Sequence, residues 1–194
     1  MRRTVTVLVG VAGLAAITAC GADTVSDDGA TGSASPPSTT STPTMEAPPF
    51  PDDTSEQYVE SSYRSLLGFT DISVEAGEGF DRIVMELNQE GTPGWFANYV
   101  DEPVMDGSGE IADLDGQAVL DIYASGTTWP VKGYYSGPDH VAVPDGGVVE
   151  DVFVVGTFEG NTQVLVGLEG DAAPFRVFTL TDPTRLVVDV KDDD

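Results

Sequence analysis

From residue 69 onward the sequence is broken at short intervals by Gly, Pro, Asn and Asp, and the runs between the breaks are rich in Val, Ile, Phe, Tyr and Thr. The runs fall at 69–76, 80–87, 95–100, 119–123, 148–158, 163–168, 175–180 and 185–190, with Gly77-Glu78-Gly79 as the first turn. Helical periodicity is nearly absent after Leu67. Short β-branched and aromatic runs bounded by turn residues read as strands. Many of them in series predict an antiparallel sandwich or barrel. A domain of about 125 residues buries roughly two-thirds of its unfolded surface, so it can hold together by core packing alone.

It has to, because the chain carries one cysteine. Cys20 closes the stretch Ile17-Thr18-Ala19-Cys20-Gly21, after a positive start at Arg2 and Arg3 and an apolar run from Val5 to Ile17. That layout is a secretory signal, with an apolar segment too short for a finished membrane span. Its ending resembles the lipobox of bacterial lipoproteins, which implies cleavage of residues 1–19 and a diacylglycerol on Cys20. Two acyl chains suffice for stable anchoring where one is marginal. The expected address is the outer face of the cytoplasmic membrane, with the membrane contacted through the lipid on Cys20.

Residues 20–53 then form a Ser/Thr/Pro-rich stretch with almost no large apolar residue before Phe50. It cannot bury enough surface to offset chain entropy, so a disordered tether is expected. Its about 33 residues would reach roughly 30 Å on average. Residues 54–68 are ambiguous. Thr54 with Gln57 could form a capping box, and Tyr58, Val59, Tyr63, Leu66 and Leu67 fall loosely at helical spacing. A short helix or a further extension of the tether are the alternatives.

Charge narrows the partners. The formal net charge is −25, and loss of Arg2 and Arg3 leaves six Lys/Arg against 33 Asp/Glu, or −27. Such a chain is repelled by phosphate backbones and by anionic lipid headgroups, so no nucleic-acid partner is expected. Chemistry is scarce as well. His140, the one histidine, sits in a loop by composition and reads as exposed and idle, and Ser108, Ser125 and Ser136 lack the Gly-x-Ser-x-Gly elbow. A lone histidine cannot support the usual zinc sites. Asp113-Leu114-Asp115-Gly116 starts like a calcium loop, but its twelfth position is Ala124 where the loop needs Glu, so it reads as a turn. No enzyme activity, cofactor or metal is expected.

Two segments echo each other. Asp81-Arg82-Ile83-Val84-Met85-Glu86-Leu87 aligns with Thr184-Arg185-Leu186-Val187-Val188-Asp189-Val190. In a strand, residues four apart share a face, which groups Arg82 with Glu86 and Arg185 with Asp189. The plain reading is a surface ion pair on each strand, worth about 0–1 kcal/mol. The alternative is that both are related strands of a pseudo-symmetric sandwich.

The run from Phe178 to Val190, with Asp182-Pro183 as a turn ahead of Arg185-Leu186-Val187-Val188-Asp189, resembles the ending of AMIN domains, modules found beside bacterial cell-wall amidases and in secretins. The chain from about Phe69 to Lys191 is more closely similar to the AMIN-like domain of actinobacterial lipoproteins. The motifs that carry this likeness are Gly79-Phe80-Asp81-Arg82-Ile83-Val84, Pro93-Gly94-Trp95, Tyr99-Val100, Phe158-Glu159-Gly160 and Pro174-Phe175-Arg176-Val177. The resemblance implies an antiparallel β-sandwich over 69–191 that is non-catalytic and serves the cell envelope. Only four residues follow Val190, so a module without an attached catalytic domain is the expectation.

The function expected is binding: of a cell-envelope component such as peptidoglycan, or of a cell-wall enzyme partner. The alternative is a carrier or sensor that holds an apolar or small ligand inside the sandwich. Trp95, Phe96, Tyr99, Trp129, Tyr134 and Tyr135 lie in loop-rich segments, where aromatic faces suit sugar rings as well as cores. Trp95, Tyr99, Trp129, Tyr134 and Tyr135 are the aromatic ligand-binding candidates. Arg82, Arg176 and Arg185 are the cations available for a carboxylate of a stem peptide, and equally for the chain's own acids. Of these, Arg82 and Arg185 are the candidates.

Overall fold

In the computed structural model, residues 47–192 are described, and they form nine strands and no helix. The strands are β1 (Gln57–Val59), β2 (Gly68–Ala76), β3 (Phe80–Asn88), β4 (Gly94–Val100), β5 (Ala118–Ser125), β6 (Val149–Phe158), β7 (Asn161–Leu168), β8 (Phe175–Leu180) and β9 (Thr184–Lys191). They build two antiparallel sheets packed as a sandwich, one ordered β1-β4-β5-β7-β6 and the other β2-β3-β9-β8. Cys20 and the signal segment lie outside the described residues.

The alternation of the sequence maps onto the pleat. Ile83, Met85 and Leu87 of β3 face Leu120, Ile122 and Ala124 of β5 and Val164, Val166 and Leu168 of β7 across a single core. Leu186, Val188 and Val190 point into the same core, as the C-terminal motif implies. Asp182-Pro183 forms the tight turn between β8 and β9, with Asp182 in the left-handed region at φ 59°.

The echoing segments turn out to be neighbours. β3 and β9 pair antiparallel, with Arg82 opposite Asp189 and Glu86 opposite Arg185. Because the two motifs run in opposite directions, each arginine meets the other strand's acid. The expected surface ion pairs within each strand are therefore corrected. Asp189 is fully buried and takes a bidentate grip from Arg82 (2.6 and 2.9 Å) and a second from Arg176 on β8 (2.7 and 2.8 Å). The bond to Asp189 is also what raises the Arg82 pKa. Asp81, one residue earlier, faces the other way and accepts the Val149 N–H at 2.8 Å, tying β6 to the opposite sheet.

The end of the expected tether lies against one of the arginines that hold Asp189. Phe50 lies under the Arg176 guanidinium at 4.1 Å and 6.1 Å from Phe80, and Arg176 donates to the Pro48 carbonyl at 2.6 Å. Within the stretch expected as tether, Pro48 and Phe50 are thus held against β8 by a charge-assisted bond and cation–π stacking. The helix weighed for 54–68 is likewise replaced by β1, whose pairing with β4 fixes Tyr58 opposite Phe96.

Both open sides of the sandwich are closed. The Gln57 side chain acts as a surrogate peptide group for the free edge of β8: its amide donates to the Phe175 carbonyl at 2.6 Å and accepts from the Val177 N–H at 3.3 Å. On the far side the segment 126–148 bridges the sheets. Tyr135 N–H bonds the Phe69 carbonyl of β2 (2.9 Å), while Val141 N–H bonds Val152 and Val154 N–H bonds Asp139 at the edge of β6.

Candidate functional site

The outer face of the five-stranded sheet carries the candidate site. Cα pairing sets Tyr58 of β1, Phe96 of β4, Tyr123 of β5 and Gln163 of β7 in one row across the strands. Neighbours Leu120, Ile122 and Ala124 fill the core, so Tyr123 points outward. Phe96 and Tyr123 rings sit 6.4 Å apart at 36°, and Tyr58 is 63% exposed. The stripe floors an open groove of about 550 Å³ that Glu60, Ser61, Ser125 and Asn161 border and Trp95 touches. Gly94 is required here. A side chain on it would collide with the backbone of Val59 and Ser61, which must lie against β4 for Tyr58 to join the row.

At β7 the row ends under the loop 101–117. Gln163 is almost wholly buried: its Oε1 accepts the Asp106 N–H at 2.8 Å, and its Nε2 lies 3.0 Å from the Val104 carbonyl, Asp121 Oδ1 and the Tyr123 hydroxyl. The loop lies close because Gly167 has no Cβ to strike the Asp115 carbonyl. Asp121 is thereby buried without a cation, and desolvation lifts its pKa to about 6 despite the Gln163 bond. Burial, with Asp121 and Asp106 close by, pushes the Tyr123 phenol up too, so it is a neutral donor at any physiological pH. This network fixes the Tyr123 ring at the end of the stripe.

The aromatics expected from sequence separate into different settings. Trp95 packs partly on the core and reaches the groove. Tyr99 belongs to the packing: its hydroxyl donates to the Ala173 carbonyl at 2.7 Å and accepts the Ala173 N–H at 3.1 Å, its ring meets Phe175 edge-on, and burial pushes its pKa up to about 12. Trp129, Tyr134 and Tyr135 gather in a second groove of about 370 Å³ beside β6. There Tyr134 is fixed by Thr157 (3.0 and 3.1 Å), and Tyr135 stacks on Phe69 and donates to the Pro138 carbonyl at 2.8 Å. Trp129 alone of the three is widely exposed.

Arg82 is taken up by Asp189, and Arg185 donates to the Pro183 carbonyl at 3.3 Å beside its own turn. Neither lies in a groove with the aromatics. His140 is not idle: its Nδ1 sits 3.0 Å from the Asp151 carboxylate and its ring stands edge-on to Phe153. The Asp151 bond raises its pKa. Among the described residues no cluster of His, Cys, Asp and Glu is arranged to hold a metal ion, and no helix is long and apolar enough to cross a membrane.

Sequence reasoning named the parts of the groove without joining them. Tyr58 was read on a helical spacing and Tyr123 only as a strand residue. The signal was the register, in which Tyr58, Phe96 and Tyr123 stand opposite one another on three strands that pair in space.

The domain is a two-sheet antiparallel sandwich with a filled core and open surface grooves. The family model of the AMIN-like domain matches residues 67–192, and the chain belongs to that family. AMIN-like domains are cell-wall-related binding domains found in cell-envelope proteins. No curated protein and no solved structure matches the chain.

Proposed function

We propose that this chain is a surface lipoprotein, held through lipid on Cys20 at the outer face of the cytoplasmic membrane, whose AMIN-like domain binds a cell-envelope component without catalysis. Peptidoglycan is the first target, and a cell-wall enzyme partner the second. The protein acts by positioning. The observation that carries the reading is the Tyr58–Phe96–Tyr123 stripe, three aromatic rings in one row with an open groove above them. Trp129 is also exposed, but Tyr134 and Tyr135 beside it are held by hydrogen bonds and packing, whereas here three aromatic side chains line one open groove.

The carrier alternative has less support. Phe69, Ile83, Met85, Leu120, Ile122, Phe175 and Leu186 fill the space between the sheets with no exposed surface. The test is co-sedimentation of the full chain with purified cell-wall sacculi across a salt series. Saturable pelleting that survives moderate salt and is weakened by Phe96→Ala is expected; no pelleting at any salt would defeat the peptidoglycan reading. Anchoring has its own check, since Cys20→Ala should move the protein out of the membrane fraction.

A further inference from the structure

Peptidoglycan offers two chemistries, an uncharged glycan strand and stem peptides that carry carboxylates and amines. We infer that the groove over Tyr58, Phe96 and Tyr123 takes the glycan: a short run of uncharged pyranose rings lying across β1, β4 and β5. The inference rests on the envelope-binding reading above and deepens it.

Charge speaks first. No Lys, Arg or His lines the groove, and Glu60 is its one ionisable carboxylate. An acidic stem peptide would find no counter-charge and would meet a chain of net charge −25. Arg64, three residues beyond Ser61, stacks on Tyr63 and is not in the groove lining, and Arg82 and Arg176 are engaged by Asp189 on the opposite sheet.

Spare hydrogen-bonding capacity speaks second. The hydroxyls of Ser61 and Ser125 and the carboxamide of Asn161 make no side-chain hydrogen bond among the described residues, although the polar side chains beneath the neighbouring loop are all engaged. They offer two hydroxyls and an amide, each able to donate and accept. That set matches a polyol with acetamido groups better than a carboxylate, which accepts only.

Shape speaks third. The three rings follow successive strands, so the stripe is roughly 10 Å long, two strand spacings. A pyranose presents a C–H face to the electron-rich face of an aromatic ring and its hydroxyls to the sides. A flat row with polar groups along the rim meets both halves of such a ligand. The loop 101–117 stands at the Gln163 end of the row, so the strand enters from the β1 side and the run it can lay down is short.

Trp95 borders the groove and the chain has two tryptophans. In the full chain carrying Trp129→Phe, Trp95 emission therefore reports on the site alone. Titration with the β-1,4-linked trimer of N-acetylglucosamine should give a saturable change, and Phe96→Ala or Asn161→Ala should weaken it about tenfold. Trimer binding unchanged in both variants overturns the assignment to this groove. A response to the stem peptide with none to the trimer overturns the ligand class. Sacculi that still pellet the chain while the trimer fails would leave the envelope reading standing and remove only the glycan; failure of both would remove the two together.

Discussion

The two sheets treat their outer faces in opposite ways. On the four-stranded sheet, Phe80 and Phe178 are covered by Arg82, Phe50 by Arg176, and the carboxylate of Asp189 sits between both guanidiniums. On the five-stranded sheet, Tyr58, Phe96 and Tyr123 line an open groove, and among the described residues the carboxylate of Asp121 is buried against an amide and a phenol with no cation. The same residue types make a sealed surface in one place and an open one in the other. The difference lies in where the few arginines went. In a chain so short of positive charge, placing two of them on Asp189 goes with a groove on the other face that no cation lines.

The largest break in this contrast should come from Asp189→Ala, which leaves two guanidiniums facing each other under Phe50. Loss of about 3 kcal/mol in urea unfolding is expected, the usual cost of removing one partner of a buried ionic group. A smaller loss is expected from Asp121→Asn at low pH and the opposite at neutral pH. The native pKa of about 6 lies above the unfolded 3.8, so the native carboxyl holds its proton longer. Wild-type stability should therefore fall as pH rises from about 4 to about 6. The Asn variant should lose that slope and be more stable by about 2 kcal/mol at pH 7, read from denaturation curves across pH.

Gln57→Ala comes next. It strips the surrogate peptide group from β8 and should cost about 1 kcal/mol, with faster hydrogen exchange confined to the Val177 amide and its neighbours. Tyr58→Ala should be smallest, within about 0.5 kcal/mol of wild type, because its ring is largely exposed, and Phe96→Ala, at a half-buried ring, should stay below the Gln57→Ala loss. If either cost as much as Gln57→Ala, the open face would be a structural one after all, and the contrast between the sheets would fail.

Strands β2 to β9 were legible because the runs are rich in β-branched and aromatic residues and are bounded by turn residues, such as Gly77-Glu78-Gly79 after β2 and Asp182-Pro183 before β9. β1 was not legible: three residues, Gln57–Val59, carry no period, and what makes them a strand is the edge of β4 beside them. The burial of Asp189 was hidden for a like reason. Nothing local distinguishes an acid on an outward phase from one held by Arg82, a residue far away in sequence. The motifs that mark the family were readable, yet their meaning was architectural: Asp81 ties the sheets, and Arg82 meets Asp189 from the second motif. The groove stayed dispersed because its residues join only through cross-strand register.

β1 stands outside the span 67–192 that marks the family. Its three residues nonetheless supply one ring of the groove, the shield for the β8 edge and, through Gly94, the reason for the bare backbone where β4 begins. A fragment trimmed to the family limits would keep every signature motif and lose the first ring of the groove, with two strand edges laid bare to self-association. The folded unit of this protein is thus wider than its recognisable one, and the segment that leads into the family domain is itself part of the groove.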